Sequence, residues 1–285
     1  MKATPNKIKL YFITTATLTL IITVLRTISI LTVYEKDIGY YKSGAILPFI
    51  QSCIIILSVV FLITPLITLR KTKLPTSLLH TDHLSAFSAL LCGTVHISSA
   101  AILLLYQRGE VNTVTLVILI GFLLATVYFF YEALCPADKK SPLSVIPAIG
   151  AIIALIAVIV RIHVDYTIPL NNPNKTLIFI TFAAISLFLI QEMRYTVERP
   201  LPSVYFLSTC IAFLLSFSLS VPGIIGHYTS ILSGGNFLIY YIISFAYAVF
   251  TLSRLISLIK LYSPAEEKND IDEPSVPEVN DTPET

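Results

Sequence analysis

Charge is scarce in this sequence: Asp, Glu, Lys and Arg together make up 13% of its 285 residues. A water-soluble domain carries about 25%, so a soluble fold is excluded first. Neither sign dominates. The net charge is only +2, and no basic helix face interleaved with aromatic residues appears, which excludes a nucleic-acid partner. Cysteine is sparse as well. Cys53, Cys92, Cys135 and Cys210 sit far apart, within or at the edge of apolar runs and without a CxxC pair. They read as small packing residues, neither disulfides nor metal ligands. HExxH, GxSxG, a Walker loop and paired intramembrane aspartates are all missing.

Apolar residues fill the space that charge leaves. They make up 55% of the chain, and the mean hydropathy is +0.81. They gather into runs long enough to cross the ~30 Å hydrocarbon layer at ~1.5 Å per helical residue. Eight such runs are read: Leu10–Val33, Ile46–Leu69, Leu84–Tyr106, Val114–Leu134, Leu143–Val164, a short Leu177–Met193, Val204–Ile225 and Phe237–Leu261. The expected fold is therefore all-α, a polytopic membrane helix bundle over residues 1–262. The lysines ahead of the first run fit a signal peptide, but that run exceeds an h-region and lacks a cleavage site, so it is expected to be retained. Ser263–Thr285 differs in kind. It holds eight acids, one lysine and four prolines, the composition of a disordered cytoplasmic tail and a candidate segment for a protein partner.

Between the runs lie short charged turns that echo one another. Glu192–Val204 and Glu132–Val145 both go from an apolar run through Glu and basic residues to Pro-Leu or Leu-Pro, Ser-Val and the next run; Leu69–Ser77 is a fainter copy. They suggest hairpin repeats of spans two–three, four–five and six–seven. Tyr34–Gly44, with a turn at Asp37-Ile38-Gly39, fits a small β-hairpin or, more simply, a plain loop. A polar loop is expected over 171–176, where Asn174-Lys-Thr176 is a formal glycosylation sequon.

Orientation follows from basic residues, which stay on the cytoplasmic side. With the first span entering from the cytoplasm, twelve Lys and Arg flank the spans inside and five (Lys36, Lys42, Arg108, Arg161, Lys175) outside. Both termini are expected in the cytoplasm and the chain in the plasma membrane, with the lipid bilayer as its solvent.

Polar residues inside the runs cost energy in the bilayer and mark interior faces. Tyr240, Ser244, Tyr247, Thr251 and Arg254 recur at helical spacing; so do Ser85, Ser88, Cys92, His96 and Ser99. Gly150, Ala154, Ala157 and Arg161 form a small-residue stripe, and Thr15, Thr19, Thr23 and Thr27 run beside Arg26. Arg26, Arg161 and Arg254 have a plain alternative, snorkelling to the headgroups, and Arg254 has another in pairing with Glu192 or Glu132. His96 has the alternative of a packing histidine. His80-Thr-Asp-His83 lacks the further ligands a metal needs and is better explained by Thr81 or Asp82 capping a helix, so no metal is expected.

Arg199-Pro200, His227 and Ser253-Arg254 loosely follow the order of the membrane phosphatase signature. Glu192 stands where that signature needs lysine, and no histidine follows Ser253-Arg254, so the likeness is rejected. Tyr34–Gly44 and Glu192–Tyr205 together resemble stretches of uncharacterised bacterial multi-span membrane proteins, a likeness confined to those segments that implies no activity. No enzyme and no cofactor is expected. Two functions remain. The first is a transporter or permease component for a small anionic or polar solute, lined by His96, Arg26, Tyr247, Arg254 and Glu132. The second is a non-transporting membrane sensor or assembly protein. It draws on the few glycines within spans and the lack of a carboxylate at mid-bilayer.

Overall fold

The structure, a computed structural model, describes residues 5–68, 82–106, 112–135, 141–165, 169, 172–197, 199–232 and 237–262. The acidic segment 263–285, the basic turn 70–73 and His80 lie outside the described residues. Among the described residues there are eight long helices: α1 (Pro5–Val33), α2 (Ile46–Thr68), α3 (His83–Tyr106), α4 (Thr113–Leu134), α5 (Val145–Val164), α6 (Pro173–Thr196), α7 (Pro202–Tyr228) and α8 (Phe237–Tyr262). Each is long and apolar enough to cross a membrane. The chain is an all-α polytopic membrane bundle. In lipid a helix satisfies its own backbone hydrogen bonds, so long apolar runs resolve into helices even where β-branched residues abound.

The helices α3, α4, α5, α6, α7 and α8 pack in that order and close into a ring through α8 against α3; α1 and α2 lean on the outside of α7. Small residues let the ring close. A side chain at Gly121 of α4 would meet the Ala154 Cβ at 2.5 Å and the Gly150 carbonyl oxygen at 2.9 Å, so α4 and α5 touch backbone to backbone there. The threonine stripe of α1 faces the bundle, with Thr15, Thr19 and Thr23 buried, and each of the three donates its hydroxyl to the carbonyl four residues earlier.

Two expectations change. The sixth span is not short: α6 has 24 residues and begins at Pro173. The Asn172 side chain accepts hydrogen bonds from the Asn174 and Lys175 backbone N–H groups, and proline fills the first helical position where its missing N–H costs nothing. Residues 173–176 thus belong to the helix rather than to a polar loop. Lys175, fully buried, donates to the His163 and Asp165 carbonyls at 3.3 Å, tying the start of α6 to the end of α5. The second change concerns the repeats. Helices α4–α5 and α6–α7 do form packed hairpins, but α2 packs on α1 and α7 while α3 packs on α4 and α8. Two polar residues of α2, Gln51 and Ser58, lie on the narrow face it buries, while Ser52 and Thr64 stay exposed.

The loop after α1 resolves into a hairpin, with β1 (Tyr34–Glu35) antiparallel to β2 (Tyr40–Tyr41). Gly39 takes φ +75° in its turn, a conformation other residues adopt with strain. Asn172 donates to the Gly39 carbonyl at 2.9 Å, so the hairpin is pinned to the start of α6. Burial raises the pKa of the Tyr34 hydroxyl above its ordinary value, against the lowering effect of hydrogen bonds from Asn172 and Asn174.

Candidate functional site

Helical spacing carries the α8 polar stripe inward. Ser244, Tyr247, Thr251 and Arg254 are all buried, with Tyr240 partly so, and Ser85, Ser88, Cys92, His96 and Ser99 of α3 are buried opposite. The two stripes meet. Ser88 and Ser253 hydroxyls lie 2.7 Å apart, and Ser85 and Ser257 3.2 Å apart. The α5 stripe is buried at Gly150 and Ala154 and only half-buried at Ala157 and Arg161.

Arg254 does not snorkel. It is 1% exposed, and its guanidinium bridges two helices: Nη2 reaches Glu132 Oε2 on α4 at 3.0 Å, and Nε reaches Glu192 Oε1 on α6 at 3.1 Å. Tyr205 of α7 donates its hydroxyl to the same Glu192 oxygen. Phe250, one turn earlier on α8, lies under the guanidinium with its ring centre 4.7 Å from Cζ. Four helices of the ring are thereby tied at one point. Desolvating these charges is costly, and their attraction offsets it only when all partners are present.

His96 lies deeper along the same core. The Cys92 carbonyl, which can only accept, lies 2.8 Å from Nδ1, so Nδ1 carries the proton and Nε2 accepts from the Tyr247 hydroxyl at 3.3 Å. Phe129 stacks on the imidazole at 5.4 Å, and Phe122 meets it edge-on at 5.5 Å. Both imidazole nitrogens are occupied within the protein and the residue is fully buried, the signature of a packing histidine. Phe129 also meets Tyr247 and Phe250, so one aromatic layer joins the His96 pair to the Arg254 cluster.

Of the five residues expected to share a site, His96, Tyr247, Arg254 and Glu132 are gathered here. Arg26 is not. It is 2% exposed on α1 and donates to Asn174 Oδ1 on α6 at 2.5 Å. It lines a separate groove of about 370 Å³ between α1, α2 and α6, with Tyr41 and Gln51. Asn174 is itself 1% exposed and also bonds the Tyr34 hydroxyl, which leaves no room for a glycan.

The sequence offers Glu192 only as an alternative partner and Asn174 only as part of a glycosylation sequon, and it does not single out Tyr205 or Gln51. The signal for Glu192 is a carboxylate within helical reach of an apolar run; nothing in the sequence points to Tyr205, to Gln51 or to the part Asn174 plays here. Asp82 immediately precedes α3, takes the Ala86 N–H on its carbonyl, and pairs with Lys260 at 2.6 Å. The Lys260 hydrogen bond holds the Asp82 carboxyl below its usual pKa. Among the described residues no three of His, Cys, Asp and Glu gather as metal ligands. No family of proteins, curated protein or solved structure matches the chain.

Proposed function

We propose that this membrane protein is a non-transporting sensor or assembly factor, whose ring of helices is a closed brace rather than a pathway. The observation that carries this reading is the pairing of Arg254 with both Glu132 and Glu192 in the buried core. A solute pathway keeps its polar groups available to a guest. Here the guanidinium is engaged by the protein's own carboxylates, and His96 by Cys92 and Tyr247. We take the chain to lie in the plasma membrane; the basic-residue bias supports an orientation with the acidic segment 263–285 in the cytoplasm, where it would meet a protein partner.

A permease for a small anionic or polar solute is the second reading, favoured by the Arg26 groove. Native Cys92 separates the two, since it is fully buried beside His96. In a Cys53→Ser, Cys135→Ser background, membranes are treated with a water-soluble maleimide and the peptides analysed by mass. The brace reading expects Cys92 to stay unmodified until the protein unfolds. Modification of Cys92 in the folded protein would overturn it and favour a pathway that opens.

A further inference from the structure

The Arg26 groove lies apart from the Arg254 cluster, and its polar groups are incompletely satisfied. Arg26 Nε, Gln51 Oε1 and Tyr41 Oη have no hydrogen-bond partner among the described residues, although Arg26 is 2% and Gln51 5% exposed. Three such atoms from α1, α2 and β2 converge on one groove. Buried polar atoms left unpaired are destabilising, and a bound group would satisfy them.

Charge says what kind of group. The acceptor described for Arg26 is the neutral amide oxygen of Asn174, and among the described residues no carboxylate forms an ion pair with it. A guanidinium in a low-dielectric groove favours a planar or tetrahedral oxyanion. The Tyr41 hydroxyl adds a second donor. Gln51 offers an acceptor to a headgroup hydroxyl, or a donor if its amide is turned.

The walls say where that group comes from. Ile56 of α2 and Ile180 of α6 flank the groove and are 63% and 50% exposed, on faces that a bilayer would cover with lipid. Leu177 continues the apolar wall inward. Arg26 sits seven residues before the end of α1 (33 − 26), about 10 Å by helix rise, the depth of the headgroup–acyl boundary. A volume of about 370 Å³ lies within the range of small-ligand sites, about 300–1,000 Å³. We propose that this groove binds an anionic phospholipid of the surrounding bilayer, its phosphate on Arg26 and Tyr41 and the start of an acyl chain between Ile56 and Ile180. The site would hold one lipid as a structural or sensed ligand, and it stands whether or not the ring conducts a solute.

The test uses the full chain in nanodiscs of phosphatidylcholine with a minor fraction of phosphatidylglycerol, read by native mass spectrometry after mild delipidation. The wild type should retain phosphatidylglycerol over phosphatidylcholine by about tenfold or more. Arg26→Gln should lose that preference and Arg26→Lys keep part of it. Ile180→Trp, on the exposed face, should block the chain and lower retention without changing thermal stability in pure phosphatidylcholine. Equal retention by wild type and Arg26→Gln overturns the proposal. Displacement by inorganic phosphate would assign the groove to a free anion and also overturn it. Should Arg26→Gln fail to fold, unchanged retention by Ile180→Trp contradicts the proposal and lost retention supports it.

Discussion

Arg254 and Arg26 are both buried arginines on membrane-crossing helices, and the bundle treats them in opposite ways. Arg254 meets two carboxylates, a tyrosine-bonded network and an aromatic ring inside a closed six-helix ring. Arg26 meets one amide oxygen at the edge of a groove between α1, α2 and α6. The contrast follows from the helices that carry them. Half or more of the spanning window of α4, α6, α7 and α8 is buried, against 17% for α2, which walls the groove. A charge surrounded by packed helices must be neutralised by the protein. One beside a sparsely covered helix can be neutralised by something from the bilayer. Burial alone therefore does not make an intramembrane arginine structural; its partners do.

The contrast breaks most visibly in stability. Arg254→Met leaves two buried carboxylates without their cation and should cost about 3–5 kcal/mol, measured by denaturant unfolding in detergent micelles. Arg26→Met removes a hydrogen bond to a neutral amide and should cost about 1 kcal/mol. Adding Glu132→Gln and Glu192→Gln to Arg254→Met should recover much of the loss, because the unpaired charge rather than the missing contact dominates. Equal losses in the two variants would mean that the bundle holds both arginines in the same way.

Smaller changes sharpen it. Gly121→Ala pushes a methyl into Ala154 and the Gly150 carbonyl and should cost about 1–3 kcal/mol; unchanged stability would mean that α4 and α5 part freely and the ring is loose. Tyr205→Phe removes one donor from Glu192 while keeping the ring packing, with an expected loss of about 1–2 kcal/mol. At the bundle's surface, the Asp82–Lys260 pair has a Lys260 side chain that is 63% exposed, so Asp82→Asn should cost under about 1 kcal/mol. Its sign with pH is defined. Lys260 holds the Asp82 pKa below its ordinary value, so its contribution is present above the unfolded carboxylate pKa of about 3.9 and is lost as pH falls through the lower folded value. Wild type minus Asp82→Asn, followed by thermal melting, should shrink in that acid window and stay flat above it.

Much of this fold is legible in the sequence because the bilayer leaves few options. Runs of apolar residues gave eight helices within a few residues of their ends, and the helical spacing of Ser85, Ser88, Cys92 and His96 placed one buried face. The pairing of Arg254 with Glu192 or Glu132 was open to anticipation, since each is a charge near an apolar run with few alternatives. The start of α6 was misread because Asn172-Pro-Asn-Lys175 has turn composition, and its capping role emerges only once the asparagine side chain is seen to accept from the next two N–H groups. The separation of α2 from α3 is hidden in the sequence because similar turns do not by themselves bring the helices they join together. Arg26 with Asn174 joins α1 to α6, and no local pattern carries such a distant partner. The groove is likewise a product of three elements far apart in the chain.

Eight crossings of the bilayer would put the hairpin after α1 and the α4–α5 connection on opposite faces. Cysteines introduced at Lys36, in the hairpin, and at Lys139, in that connection, can be probed with a membrane-impermeant maleimide on intact cells, in a background where Cys53 and Cys135 are serine. Lys36→Cys should label from outside and Lys139→Cys only after permeabilisation. Labelling of both from the same side would contradict the crossing itself; the reverse pattern would keep the bundle but invert its orientation.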